Sequence, residues 1–228
     1  MVSTSCSQCR KKPWEHWISW WVSEVSERRD HPVLLVATQN RGKILEIKEL
    51  LHDLRFKLKT LLDYPDLAPA VEDGTTFQEN AIKKAVYYQA LTGLICLADD
   101  SGLEVDALGG APGVFSARFA GDKATDELNN RKLLKEMQGV PLKDRKARFC
   151  CFMAIALPTG EVKIAKGSCE GIILDSLQGE KGFGYDPLFF YPPAGKTFAQ
   201  MSPEEKNRYS HRAKALLEAK NILQGILT

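Results

Sequence analysis

The sequence predicts an α/β fold, in which a mixed β-sheet is flanked by helices within one domain. Apolar runs of strand length stand at 32–37 ("PVLLVA") and 93–98 ("GLICLA"), with segments of helical periodicity between them. Two longer runs, at 147–157 ("ARFCCFMAIAL") and 161–174 ("EVKIAKGSCEGIIL"), are joined by the turn "PTG" and predict a long hairpin. Strands, a hairpin and helices in this order favour a mixed sheet.

Helix start signals stand between these strands. Thr76 and Glu79 form the pattern of a capping box, and Ser202 is followed by proline and then by glutamate at the third helical position. Ile44 and Ile47 repeat on one side of the segment after the first strand. The predicted helices cover 42–54, about 76–91, about 125–137 and a segment that begins at Ser202.

Composition and charge limit the classes of function. The chain has 228 residues with a net charge of +2, which gives no basis for broad binding to duplex nucleic acid or an anionic membrane. No apolar run approaches the roughly 18 residues of a membrane span. Most cysteines lie in apolar runs, and Cys6 and Cys9 lack a second pair to complete a zinc site. We therefore expect a cytoplasmic protein without nucleic-acid or membrane partners.

The first 31 residues differ in composition from the rest. All four tryptophans lie there, and Trp14, Trp17 and Trp21 follow the spacing of one helical face. The segment is compatible with an accessory helix packed on the main body or on a partner, with adsorption to a membrane surface, or with an extension without a functional role. We treat 1–31 as an N-terminal extension and 32–228 as the functional domain.

A polar turn follows the first predicted strand. In "VATQNRGK", Thr38, Asn40 and Lys43 lie at the beginning of a helix, where free backbone N–H groups and the helix dipole favour an anion. The segment lacks the GxxxxGK[ST] pattern of a P-loop. It is compatible with a phosphate site of another design and equally with an ordinary strand-to-helix turn.

Two adjacent carboxylates follow the second predicted strand. Asp99 and Asp100 stand at its end, before a glycine-rich stretch that contains Arg118, a candidate anion contact. Mg²⁺ usually takes one or two carboxylates together with phosphate and water, and Glu72 and Asp100 would supply such a pair. Alternation along a strand favours Asp100 as the metal and water carboxylate, with Asp99 supporting or sharing the site. The alternative is a solvated turn.

An aromatic segment between glycines is the last candidate. "GFGYDPLFF" offers the rings of Phe183 and Tyr185 and the carboxylate of Asp186. A flat apolar surface beside cationic donors suits a planar heterocycle. Considered singly, Phe183 is typical of a core residue, and His211 of a solvated or capping residue.

Five motifs together resemble those of the inosine/xanthosine triphosphate pyrophosphatases, Ham1-like enzymes that remove deaminated purine nucleotides. They are "TQNRGK", "FQENAIKKA", "ADDSGLEVDALGGAPGVFSARFAG", "GFGYDPLFF" and "SHRAKAL", in the order and with the spacing of the family. The resemblance extends from about residue 33 to 226 and leaves out the N-terminal extension.

The resemblance implies an elongated mixed-sheet α/β fold with two lobes around a nucleotide cleft, usually assembled as a homodimer. It implies hydrolysis of ITP, dITP or XTP to the monophosphate and pyrophosphate, with Mg²⁺. Two alternatives stay open: a related pyrophosphatase for other modified nucleotides, and a non-catalytic nucleotide-binding protein.

The resemblance also implies roles for individual residues. Asp100, Lys84 and Lys43 are expected to be catalytic, with Asp100 as the general base. Glu72 and Asp100 are expected to hold the metal. The residues expected to bind the substrate are Thr38, Gln39, Asn40, Arg41, Gly42, Lys43, Ser101, Phe183, Gly184, Tyr185, Asp186, Lys206, His211 and Arg212.

Overall fold

The computed structural model describes residues 31–227, and within them seven strands form one sheet. The strands are β1 (Val33–Val36), β2 (Lys57–Thr60), β3 (Ile95–Val105), β4 (Lys146–Ala156), β5 (Val162–Ile173), β6 (Phe189–Tyr191) and β7 (Lys196–Thr197). Their order across the sheet is β2-β1-β3-β4-β5-β6-β7. β1 is parallel to β2 and β3, and the remaining neighbours are antiparallel. The predicted mixed sheet and hairpin are confirmed.

Helices flank the sheet where the sequence predicts them. They are α1 (Arg41–Leu50), α2 (Phe77–Thr92), α3 (Asp126–Glu136), α4 (Pro203–Tyr209) and α5 (His211–Leu227). The side chains of Asn40, Thr76, Thr125 and Ser202 each accept a hydrogen bond from the backbone N–H three residues later, which fixes the first four starts. α1 ends at Leu50, before the predicted residue 54, because the chain turns there while its apolar side chains stay in the core.

Alternation along β1 divides the core between the two faces of the sheet. Leu34 packs in a cluster with Ile47 of α1 and Leu216 of α5, whereas Leu35 packs in a cluster with Ala81 of α2. A third cluster joins the second half of β3 to α3 and β6. Helices on both faces thus bury the sheet and fix the loops at its edges.

β3 is longer than predicted and corrects the expected position of the two aspartates. The predicted strand at 93–98 ends before Asp99, but β3 continues to Val105 and pairs with β4 throughout. Position 102, inside the strand, requires a glycine, because a Cβ there would collide with Gly113 and Ser116 in the segment that follows β3. Asp99 and Asp100 are therefore strand residues and point to opposite faces of the sheet.

β2, β6 and β7 were not predicted. They contain four, three and two residues, too few for a periodic pattern to stand out from the surrounding loops. The predicted tryptophan-rich helix and the pair Cys6 and Cys9 lie outside the described residues. Between residues 31 and 227, no helix combines the length and the apolar character needed to cross a membrane.

Candidate active site

A cavity of about 280 Å³ brings together residues from the turn after β1, the middle of β3 and the aromatic segment before β6. The predicted site residues that line it are Asn40, Lys43, Glu72, Lys84, Asp100, Ser101, Phe183, Gly184, Tyr185, Asp186, Lys206, His211 and Arg212, together with the candidate anion contact Arg118. Those that do not line it are Thr38, Gln39, Arg41 and Gly42. Lining residues that the sequence did not single out are Gly102, Val114, Ser116, Ala117, Asp126, Asn129 and Phe149.

The turn after β1 is held by its own side chains. Thr38 Oγ1 accepts from the Asn40 N–H at 3.2 Å, and Asn40 Oδ1 accepts from the Lys43 N–H at 3.1 Å. Gly42 packs against the Phe183 ring, and a Cβ at this glycine would stand 2.7 Å from Phe183 Cδ1. Asn40 and Lys43 line the cavity, while Thr38 and Gly42 contact Asn40 and Phe183 beside it.

Asp99 is a buried anchor for two cationic side chains. Its Oδ2 lies 2.9 Å from Lys43 Nζ and 3.5 Å from Arg212 Nε, and the residue is 3% exposed. Burial alone would raise the pKa of Asp99, but Lys43 and Arg212 outweigh it and hold that pKa well below its usual range. Asp99 thus stays ionised and positions side chains that line the cavity, without lining it itself.

Asp100 has the opposite environment, although it is the next residue. Its Oδ1 accepts from the Ser101 N–H at 3.0 Å, and among the described residues nothing hydrogen-bonds to its buried Oδ2. Burial raises the pKa of Asp100, and the nearby Lys84 and Lys43 offset this only in part. A cavity-lining carboxylate with one oxygen free and a raised pKa suits a proton acceptor or a metal ligand.

Glu72 and Lys84 form an ion pair beside Asp100. Lys84 Nζ lies 2.9 Å from Glu72 Oε2 and donates to the Asp99 carbonyl oxygen at 3.1 Å. Burial would lower the pKa of Lys84, but Asp99 and Glu72 raise it, so the lysine is charged. No group of three or more His, Cys, Asp or Glu side chains suited to a metal occurs within 31–227. Glu72 and Asp100, with the free Asp100 oxygen, fit a cation that takes two carboxylates and completes its shell with phosphate and water.

Cations also surround the half-buried ring of Phe183. Lys206 Nζ lies 4.7 Å and Arg212 Cζ 5.5 Å from the ring centroid. Both cations bind Glu46, a residue the sequence did not single out: Lys206 Nζ lies 3.0 Å from its Oε1, and Arg212 contacts its Oε2. Glu46 stands three residues after Lys43 on α1, and this helical spacing is the signal that would have found it.

Lys206 and Arg212 are buried and heavily paired. Lys206 Nζ also lies 2.6 Å from Asp186 Oδ2, and Arg212 Nη2 donates to Ser101 Oγ at 2.9 Å. Glu46 and Asp99 raise the pKa of Arg212 against the effect of burial. These contacts lock the two cations in place beside Phe183, so their remaining N–H groups have fixed directions.

His211 is neither solvated nor a helix cap. It is 4% exposed, and its ring stacks on Phe149 with centroids 4.6 Å apart. Burial, followed by the charges of Arg212 and Lys206, lowers the pKa of His211 well below 6.5, so the ring is uncharged at neutral pH.

Two side chains of helix α3 bind the backbone N–H and the backbone carbonyl of Gly184. The Gly184 N–H donates to Asp126 Oδ2 at 2.7 Å, and its carbonyl accepts from Asn130 Nδ2 at 2.8 Å. The Tyr185 hydroxyl donates to the Ser116 carbonyl at 2.8 Å and is thereby engaged within the protein. Local sequence carries no signal for these contacts, because they join segments more than 50 positions apart.

Known proteins resemble this chain over most of its length. Residues 34–222 match the model of the Ham1 family. The chain is 53% identical over 193 residues to the dITP/XTP pyrophosphatase of Desulforamulus reducens, covering 85% of this chain and 96% of that protein. It is 54% identical over 183 residues to a dITP/XTP pyrophosphatase of Thermus thermophilus, covering 80% and 87%.

Solved structures give the same result. A HAM1 protein from Coxiella burnetii matches with a TM-score of 0.77 and 41% identity, over 85% of this chain and 99% of that one. The Ham1 protein of Staphylococcus aureus matches with a TM-score of 0.75 and 40% identity, over 84% and 98%. The chain belongs to the Ham1 family.

Proposed function

We propose that this protein hydrolyses the deaminated purine nucleotides ITP, dITP and XTP to the monophosphate and pyrophosphate. The relatives from Desulforamulus and Thermus are named dITP/XTP pyrophosphatases. The observation that carries the proposal is the meeting, in one cavity, of Asp100, Glu72 and Lys84 with the Phe183 ring and its cations. Such a cavity combines groups for phosphate chemistry with a surface for a planar base.

Water attacks the α-phosphorus in the proposed reaction. A bond forms between the water oxygen and phosphorus, the bond to the bridging oxygen breaks, and pyrophosphate leaves. Asp100 accepts the proton of the water through its carboxylate, which lines the cavity. Lys43 and Lys84 stabilise the phosphate charge as it develops.

Mg²⁺ is part of the proposal, held by Glu72 and Asp100. When bound, it neutralises phosphate charge and polarises the phosphoryl oxygens. Glu72, which pairs with Lys84, would share its charge between that lysine and the cation, so that the Lys84 ammonium could also contact phosphate.

Base selectivity follows from donors beside Phe183. Hypoxanthine and xanthine carry an oxygen at position 6, where adenine carries an amino group. Arg212 uses one N–H of each terminal nitrogen for Glu46 and Ser101, so each keeps a second N–H to donate. With adenine a donor would face a donor, and a buried unpaired polar group costs roughly 10⁴-fold in discrimination.

A substrate panel tests the function. ITP, dITP, XTP, GTP and ATP are incubated with and without Mg²⁺, and the products are resolved as monophosphate plus pyrophosphate or diphosphate plus phosphate. We expect Mg²⁺-dependent pyrophosphate release from ITP, dITP and XTP. Equal turnover of ATP would refute the base assignment, activity on other modified nucleotides would favour a related pyrophosphatase, and tight ITP binding without turnover would favour a nucleotide-binding protein.

We also propose that the protein acts as a homodimer in the cytoplasm. The resemblance to the family supports the dimer, and the cysteines in apolar strands support the location. Light scattering on the full chain should give twice the 25.4 kDa mass of one copy, and a single-copy mass would contradict the dimer.

A further inference from the structure

The cations that line the cavity differ in whether a carboxylate already holds them. Lys43, Lys84, Lys206 and Arg212 each form an ion pair with a carboxylate at 3.0 Å or closer. Arg118 also lines the cavity, but no carboxylate between residues 31 and 227 lies within 4.0 Å of its guanidinium. Among the cations that line the cavity, Arg118 is therefore the one whose charge no carboxylate in the described part of the chain neutralises.

The guanidinium of Arg118 has weak partners only. Nη2 donates to the Glu72 carbonyl oxygen at a long 3.4 Å, and Cζ lies 5.2 Å from the centroid of the exposed Phe115 ring. An unpaired guanidinium offers several N–H groups in a planar fork, which matches two oxygens of one phosphate. An anion would bind there without displacing a carboxylate, whereas at the paired lysines it must share the charge.

The backbone that carries Arg118 is held in place. Ser116 Oγ accepts from the Leu103 N–H at 2.9 Å and donates to the Gly113 carbonyl at 2.6 Å. Asn129 of α3 bridges the two sides of Arg118, since Nδ2 donates to the Ala117 carbonyl at 3.2 Å and Oδ1 accepts from the Ala120 N–H at 2.8 Å. The guanidinium is thus presented from a fixed point on the cavity wall.

The contacts of Arg118 indicate which part of the substrate it meets. It touches the backbone of Glu72, which pairs with Lys84 beside Asp100. The cations that face the Phe183 ring are Lys206 and Arg212 instead. Arg118 therefore belongs with the groups for phosphate and not with those for the base.

We propose that Arg118 is a further substrate-binding residue that holds the pyrophosphate part of the nucleoside triphosphate. This assignment rests on the proposed function and deepens it. Bound to the two terminal phosphates, the guanidinium neutralises charge on the leaving group and stays with pyrophosphate after the monophosphate has separated.

Product inhibition tests the assignment. Arg118→Met and Arg118→Lys are compared with Arg131→Met, which removes an exposed arginine that pairs with Glu127 on α3. The inhibition constants for inorganic pyrophosphate and for inosine monophosphate are measured against ITP. We expect Arg118→Met to weaken inhibition by pyrophosphate about 10- to 100-fold, the range for one charged hydrogen-bonding group, and to leave inhibition by the monophosphate unchanged. Arg118→Lys should restore part of the loss, and Arg131→Met should behave as wild type.

Two results would overturn the assignment. Unchanged inhibition by pyrophosphate in Arg118→Met would show that Arg118 does not bind the pyrophosphate part of the substrate. Equal weakening for pyrophosphate and monophosphate would mean that Arg118 supports the whole cavity. If wild type does not hydrolyse ITP, the proposed function fails, but calorimetric titration of wild type and Arg118→Met with pyrophosphate still decides the role of Arg118.

Discussion

Lys43 pairs with Asp99 and not with its neighbour Asp100, through an Nζ–Oδ2 distance of 2.9 Å. Strand alternation turns the two aspartates to opposite faces, so one carboxylate is ion-paired in the interior while the other lines the cavity. The pKa of Asp99 is lowered and that of Asp100 is raised. Adjacent residues of the same type therefore have separable roles in stability and in chemistry.

Substitution by asparagine separates these roles. Asp99→Asn leaves Lys43 without its carboxylate and Arg212 with Glu46 alone, so we expect a loss of up to about 3–5 kcal/mol in the free energy of unfolding. Asp100→Asn removes a charge that burial disfavours, so stability should hold or rise while kcat falls by at least ~10²–10⁴-fold. Urea unfolding and ITP turnover measure both. An equal loss of unfolding free energy in the two variants would contradict the distinction.

Burial of neutral His211 makes stability depend on pH. The unfolded chain takes up a proton at this histidine as pH falls below about 6.5, whereas the folded protein resists it because its pKa is lowered. The free energy of unfolding should therefore decrease as pH falls below about 6.5. Urea unfolding across this range should give a flatter profile for His211→Gln. His52→Gln, at an exposed histidine, is the matched control, and identical profiles for wild type and His211→Gln would contradict the prediction.

Local sequence predicts the elements that position the site. Thr76 and Ser202 begin their helices as expected because an N-cap bonds within one helical turn. Lys43 follows β1, Lys84 lies in α2 and Asp100 lies in β3, and each of these elements has a strong local pattern in the sequence. The three side chains line one cavity.

Contacts between distant segments could not be predicted in this way. Glu46 meets Arg212 across 166 positions, and Asp126 meets Gly184 across 58. Helical spacing places Glu46 on the side of Lys43, but it predicts neither of these contacts. The extension of β3 past residue 98 depends on pairing with β4, which compensates for polar residues that would otherwise favour a turn.

The absence of a side chain at Gly42 leaves room for the Phe183 ring beside the cavity. A Cβ at this position would stand 2.7 Å from Phe183 Cδ1 and push the ring aside. Alanine favours a helix over glycine by up to about 1 kcal/mol, which offsets part of the cost of moving the ring, so Gly42→Ala should change the free energy of unfolding little. We expect a several-fold rise in KM for ITP. Leu45→Ala, on the exposed side of α1, is the control, and an unchanged KM in Gly42→Ala would show that the ring position does not matter.

Asp126 holds the Gly184 N–H at 2.7 Å and so positions the Phe183 segment from α3. Removing this charged acceptor in Asp126→Ala should raise KM for ITP several-fold, up to about 10-fold. The reason is that the segment with Phe183 and Gly184 then loses one of its two hydrogen bonds to α3. Asp126→Asn keeps a side-chain oxygen for the same N–H, and we expect it to restore most of the affinity.

Glu127→Ala provides the matched control for Asp126. Both residues place a carboxylate in the first turn of α3 and interact with the helix dipole, but Glu127 pairs with Arg131 and not with Gly184. Steady-state kinetics with ITP, and inhibition by inosine monophosphate, should respond to Asp126→Ala alone. If Glu127→Ala raises KM equally, or if Asp126→Asn restores nothing, the rise in KM does not come from the hydrogen bond between Asp126 and Gly184.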